Sequence, residues 1–82
     1  MKALQPNEIT CLAEMGFKPS TLTVPCMSKI VHKPSGKIYS VYIYVGDTIY
    51  ITKRLYSRVT KQTIYHSFDQ LVADLQCRGE AA

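Results

Sequence analysis

Basic and tyrosine side chains are concentrated in the middle of the chain. The segment 29–61 has seven cations and one anion, a net charge of +6, whereas the rest has three cations and five anions, a net charge of −2. The seven cations are Lys29, Lys33, Lys37, Lys53, Arg54, Arg58 and Lys61. Tyrosine rings offer stacking surface and basic groups neutralise phosphates, a combination that nucleic-acid-binding sheets use. The pattern therefore favours an acidic partner, with nucleic acid first.

Residues that could carry covalent or metal chemistry are few and poorly spaced. Cys11, Cys26 and Cys77 make an odd number without a C-x-x-C pair, which indicates neither a disulfide framework nor a zinc knuckle. Cys26 and His32 would lie roughly 20 Å apart along one strand, too far to share a proton. We therefore expect no catalytic residue, no metal site and no cofactor, and hence a protein that is not an enzyme.

The length and composition set the scale of the molecule. Eighty-two residues, 46% of them hydrophobic, predict one small domain with a modest core and exclude a deep cleft between domains. The odd cysteine count is typical of a reducing compartment. No stretch approaches the ~20 apolar residues of a membrane span, and polar residues and Pro6 interrupt the start of the chain. We expect a cytoplasmic protein without a membrane partner.

Two short amphipathic helices are predicted near the ends. The first covers Asn7 to Gly16, with Asn7 as its cap and Gly16 as its stop. The second begins at Ser67, which forms a capping box with Gln70, and ends near Cys77 and Arg78 before Gly79. The ordered core is expected over about 6–78, with Gly79–Ala82 as a frayed tail.

Between these helices the residue types change to β-branched and aromatic ones. Three antiparallel strands are predicted at about Cys26–Lys33, Ile38–Val45 and Thr48–Leu55, with a fourth left open at Thr60–Tyr65. The predicted fold is α+β, a two-layer α-β-β-β-α domain with both helices packed on one face of the sheet. The other face would remain uncovered.

The predicted register determines which side chains occupy the uncovered face. A three-residue loop, Gly46–Thr48, would pair Val45 with Ile49, and a two-residue Ser35-Gly36 turn would pair Ile30 with Val41. The uncovered face would then present the candidate binding residues Lys29, Lys33, Tyr42, Tyr44, Tyr50, Thr52 and Arg54. A purely structural explanation stays open, because tyrosine is a good strand residue and lysine discourages edge aggregation.

Two functions fit this predicted face. The first is nucleic-acid binding. The alternative is a protein-interaction module, an inhibitor, an adaptor or a homodimer that uses the same face, because Tyr and Arg are enriched at interface hot spots. By analogy of size, small accessory proteins of phages and other mobile elements are a suitable comparison.

The order of elements is similar to known nucleic-acid-binding domains in outline. The run Lys33–Lys37, the tyrosine-rich strand after it and the helix that opens at Ser67-Phe68-Asp69 resemble the arm-site DNA-binding domains of phage integrases and the plant AP2 domains. This architectural likeness covers about Met27–Leu75. Double-stranded-RNA-binding domains share the α-β-β-β-α order, but Phe68-Asp69-Gln70 stands where their second helix has a basic start.

Overall fold

Five antiparallel strands, joined in chain order, form a single sheet between two helices. The computed structural model describes residues 3–21 and 24–81. The elements are α1 (Pro6–Glu14), β1 (Lys18–Thr21), β2 (Pro25–His32), β3 (Ile38–Gly46), β4 (Ile49–Leu55), β5 (Thr60–Tyr65) and α2 (Phe68–Cys77). The α+β class, the antiparallel sheet and the two helices are confirmed. The strand number is five, two more than the three-stranded prediction and one more than its four-stranded variant.

Helix α1 begins two residues earlier than predicted. Gln5 is its N-cap, Pro6 occupies the first helical position, and the Glu8 carboxylate accepts a 2.8 Å hydrogen bond from the Gln5 backbone N–H. Asn7 therefore lies inside the helix. Gly16, with a φ of 91°, ends the helix as predicted, and the backbone N–H of the buried Phe17 donates to the Leu12 carbonyl at 3.0 Å.

Helix α2 has the predicted cap and stop. The Ser67 hydroxyl accepts a 3.2 Å hydrogen bond from the Gln70 backbone N–H. Gly79 has a φ of 71°, and the following Glu80 N–H donates to the Leu75 carbonyl at 2.8 Å. This turn directs the chain back toward the sheet.

Strand β1 was not predicted from the sequence. It is four residues long, it contains Pro19, and it pairs with β2 at the sheet edge, where Pro19 lies opposite Met27. A proline has no backbone N–H to donate, and it is tolerated in an edge strand because one side of that strand has no partner strand. Pro19 therefore follows the end of α1 and belongs to this edge strand.

Both predicted turns differ from the structure by one residue, and the side chains of β2 and β4 consequently lie on the faces opposite to those predicted, whereas those of β3 lie as predicted. Gly46 lies opposite Ile49 around a two-residue Asp47-Thr48 turn, so Val45 pairs with Tyr50 and not with Ile49. Between β2 and β3 the turn is longer, and Ile30 pairs with Ser40 and not with Val41. Because side chains alternate along a strand, a one-residue change of register moves each side chain to the opposite face.

The core lies between the sheet and the two helices. Leu12 of α1 and Leu71 and Leu75 of α2 are fully buried and pack in one cluster with Val41 and Ile43 of the central strand. Both helices therefore cover the same face of the sheet. No helix in the described residues is long and apolar enough to span a membrane.

The chain after α2 is part of the fold. Glu80 is 1% exposed and Ala81 packs against the core cluster, so the prediction of a frayed tail is wrong for residues 79–81. Ala82 lies outside the described residues. The reason is a long-range ion pair between Glu80 and Arg54, described below.

Truncating Leu71 should test the position of the core. Leu71→Ala is expected to lower the free energy of unfolding by about 2–5 kcal/mol, because it removes a fully buried side chain and leaves a cavity. The matched control Val59→Ala alters a side chain that is 52% exposed in a turn, and a loss of less than about 0.5 kcal/mol is expected. Urea unfolding followed by circular dichroism measures both. Equal losses would contradict the helix packing described here.

Candidate functional site

The seven candidate binding residues do not share a face. Tyr42 and Tyr44 point away from the helices, on the uncovered side, as predicted. The other five lie on the helix side of the sheet or at its end: Lys29, Lys33, Tyr50, Thr52 and Arg54. The prediction of one basic, tyrosine-rich face is therefore wrong, and the cause is the exchanged register.

Arg54 is buried in an ion pair with Glu80. The guanidinium of Arg54 donates from Nη2 to Glu80 Oε1 at 2.8 Å and from Nε to Oε2 at 3.0 Å, and both residues are 1% exposed. The third nitrogen, Nη1, donates to the Thr52 hydroxyl at 3.0 Å. Tyr39 also donates its hydroxyl proton to Glu80. The two-point geometry and these further hydrogen bonds satisfy both charges without water.

Hydrogen bonds keep both Arg54 and Glu80 charged although they are buried. Burial by itself would lower the pKa of Arg54, but the hydrogen bonds to Glu80 and Tyr65 raise it above its usual range. Burial would raise the pKa of Glu80, but the hydrogen bonds from Arg54 and Tyr39 hold it below its usual value. Arg54 is thus a neutralised structural cation and is inaccessible to a phosphate.

Lys29 and Lys33 bind the ends of the helices. Lys29 Nζ donates to the carbonyls of Met15 and Glu80, each at 2.8 Å, and Lys33 Nζ donates to the carbonyl of Arg78. These carbonyls lie at or beyond the C-terminal ends of α1 and α2, where cations are favoured. Burial lowers the pKa of Lys29, against the opposing effect of the Glu80 carboxylate. Both lysines attach helix ends to β2 and to the turn that follows it.

Tyr50 connects the sheet to the start of α1. Its hydroxyl donates to the Glu8 carboxylate, and this hydrogen bond, together with burial, raises the pKa of Tyr50 to about 12. Its ring also lies 5.7 Å from that of Phe68, between centroids. Tyr50 therefore joins both helices to β4 and is not part of the uncovered face.

The uncovered side of the sheet, here named the open face, is mainly apolar. It presents Lys18, Ser20, Ser28, Ile30, His32, Ile38, Ser40, Tyr42, Tyr44, Ile49, Ile51, Lys53, Leu55, Thr60, Gln62 and Ile64. Ile30, Ile38 and Ile64 are 62%, 57% and 50% exposed. Lys18, in the edge strand, and Lys53 are the two lysines among these residues, and none of them is an arginine or a carboxylate. Single exposed apolar residues are common, but a contiguous set marks an interaction surface.

A second surface, here named the cationic end, lies where β2 turns into β3 and β4 turns into β5. It comprises Lys33, Lys37, Arg58, Lys61 and Arg78. Lys37 Nζ lies 4.8 Å from the centroid of the Tyr56 ring, and Lys61 Nζ lies 5.9 Å from it. The turn residue Arg58 is exposed beside them. In the sequence, Lys33, Lys37, Arg58 and Lys61 belong to the same basic segment as Lys29 and Arg54, and no local pattern separates the two groups.

Cys26 and His32 lie at opposite ends of β2. Cys26 is buried near the start of β2, whereas His32 is exposed at the end of the same strand. Residues 3–21 and 24–81 contain no cluster of three His, Cys, Asp or Glu side chains able to hold a metal. Comparison of the chain with known family models, curated proteins and solved structures found no match. The function is therefore inferred from the composition of the open face and of the cationic end.

Removing Glu80 should cost more stability than its position near the end of the chain suggests. Glu80→Ala leaves Arg54 buried without its counter-ion, and a loss of about 3–5 kcal/mol in unfolding free energy is expected. The matched control is Glu14→Ala, at an exposed position near the end of α1. Chemical denaturation of both variants measures the difference. Equal stabilities would contradict a structural role of the Arg54–Glu80 pair.

The same pair predicts a pH dependence. Because the pKa of Glu80 is lowered in the folded state, its carboxylate contributes stability above its ordinary value of 4.5, and this contribution is lost as pH falls through the lower folded value. The stability difference between the wild type and Glu80→Gln should be constant near neutral pH and shrink below pH 4.5. Denaturant midpoints across this range measure it. A difference that grows on acidification would contradict the assignment.

Proposed function

We propose that this protein associates with a second copy of itself through the open face, so that two sheets pack face to face. The observation that carries the proposal is the composition of that face, which has eight isoleucine, leucine and tyrosine side chains, two lysines and no carboxylate. Burial of such a surface is favourable by roughly 25 cal/mol per Å² of apolar area.

The central strand supports a second covering layer. In β3, Tyr39, Val41 and Ile43 pack under the helices, while Tyr42 and Tyr44 lie on the opposite side. A strand that is apolar on both faces is typical of a sheet that is covered on both. Two sheets pack about 10 Å apart by interdigitating their facing side chains, which is the arrangement proposed here.

The low charge of the open face favours a second copy over a strongly charged partner. An isologous pair of these faces brings together only Lys18 and Lys53 of each copy as charged groups, and Lys18 lies in the edge strand β1. Each Lys53 lies opposite Tyr42 in its own sheet, and an aromatic ring is a suitable contact for a partner's ammonium group. A highly charged protein packed against this face would bury its charges without counter-ions.

The size of the open face indicates a dimer of moderate affinity. Four strands about 4.8 Å apart, each about seven residues of ~3.3 Å, give a projected area of roughly 450 Å². The accessible area of side chains exceeds this projection, whereas a standard interface buries about 800 Å² per partner. We therefore propose a dimer that dissociates on dilution.

Nucleic-acid binding at this face is the first function that the sequence suggested, and self-association is its alternative. It stays a prediction for Tyr42 and Tyr44. It is less favoured here, because Lys29, Lys33 and Arg54 are bound to helix ends or to Glu80 on the other side of the sheet. The cytoplasmic location also stays a prediction.

Sedimentation equilibrium over a range of protein concentrations tests the dimer. The wild type should approach twice its chain mass of 9.3 kDa at high concentration. Ile30→Lys should remain monomeric with an unchanged circular dichroism spectrum, because Ile30 is 62% exposed in the monomer and a charge at its position would be buried in the dimer.

The control is Val59→Lys, which adds the same charge at a similarly exposed residue in the β4–β5 turn. This variant should associate like the wild type. A wild type that stays monomeric at the highest concentration would reject self-association. Equal weakening by both substitutions would assign any association to a surface other than the open face.

A further inference from the structure

The cationic end holds the excess positive charge of the protein. Including the internally paired Arg54, this region has six cations, and its carboxylates are Asp74 and Glu80. The remainder of the sequence has four cations and four anions, so the group accounts for the net charge of +4. A surface of one sign attracts partners of the opposite sign and speeds their encounter.

The two carboxylates of this region are already bonded within the protein. Glu80 is buried against Arg54, and Asp74 accepts a 2.8 Å hydrogen bond from Arg78 Nε and a further one from the Tyr65 hydroxyl. Within the described part of the chain, no carboxylate forms a salt bridge with Lys37, Arg58 or Lys61. These three exposed side chains are therefore available to an external anion.

The positions of the cations suit a polyanion with closely spaced charges. Lys37 and Lys61 both lie against Tyr56, so their Nζ atoms are at most about 11 Å apart, close enough to contact neighbouring phosphates of one strand. The tight turn that carries Arg58 is closed by a 2.8 Å hydrogen bond from the Tyr56 N–H to the Val59 carbonyl. The turns β2–β3 and β4–β5 thus carry Lys37 and Arg58, and Lys61 lies at the start of β5.

We infer that the cationic end binds the phosphate backbone of nucleic acid, at a surface separate from the open face. Lys37, Arg58 and Lys61 are the principal contacts, with Arg78 beside them. Side chains that contact phosphates position a protein on nucleic acid and carry little base information, so binding is salt-dependent and weakly selective for sequence. This inference does not depend on self-association.

Fluorescence anisotropy with a short labelled DNA duplex at about 50 mM and about 200 mM salt tests the inference. The wild type should bind at low salt and weaken steeply as salt rises. Lys37→Gln/Lys61→Gln should raise the Kd by about tenfold or more at low salt and reduce the slope of log K against log salt by about 2. Both side chains are exposed, and an unchanged circular dichroism spectrum confirms that the variant is folded.

The matched control is Lys18→Gln/Lys53→Gln, which removes the same net charge elsewhere, because both lysines lie on the open face, Lys18 in β1 and Lys53 in β4. Its Kd should change by less than about twofold. No binding by the wild type at low salt would overturn the inference. So would equal or greater weakening in this control, which would indicate net charge alone or the open face as the cause.

A competition experiment distinguishes an acidic protein from nucleic acid. Unlabelled duplex and polyglutamate are titrated separately into the complex with labelled duplex, and their concentrations are expressed as negative charge. If the unlabelled duplex displaces the label at a lower charge concentration than polyglutamate does, nucleic acid is supported as the partner. Stronger displacement by polyglutamate would assign the cationic end to an acidic protein and overturn the inference.

Discussion

The buried pair of Arg54 and Glu80 constrains the rest of the structure. Removing two charges from water is costly, and the cost is offset only if both are fully hydrogen-bonded, as they are here by each other, Thr52 and Tyr39. Forming the pair requires the chain after α2 to fold back over β4. The pair also requires that the Arg54 side chain lies on the helix side of β4. Because side chains alternate along a strand, this position determines the face on which each other residue of β4 lies.

The structural use of basic residues separates two surfaces that the sequence places in one segment. Arg54 neutralises Glu80, and Lys29 and Lys33 bind carbonyl groups at the ends of the helices. Lys37, Arg58 and Lys61, which form none of these contacts, lie at the cationic end, while the open face is mainly apolar and has Lys18 and Lys53 as its basic residues. An acidic ligand and a second copy of the chain would therefore use different parts of the molecule. In a dimer built through the open face, each copy would contribute its own cationic end.

The local features were predictable because they depend on neighbouring residues. The Ser67 cap, the glycine stops at Gly16 and Gly79 and the three central strands follow from short-range hydrogen bonding, backbone conformation and residue type. Strand β1 was not predictable in this way, because Pro19 is acceptable there only at a sheet edge, and the edge is defined by the partner strand.

The sequence by itself determined the class of fold, the start of α2, the glycine stops of both helices and the excess of basic and tyrosine residues in the segment 29–61. Only the tertiary structure decided which of these side chains are exposed together. Two turns differ from the prediction by one residue each, and the period of two along a strand converts that small difference into an exchange of faces. Glu80, distant in sequence from Arg54, supplies the counter-ion that makes burial of Arg54 favourable, and no local pattern contains that pairing.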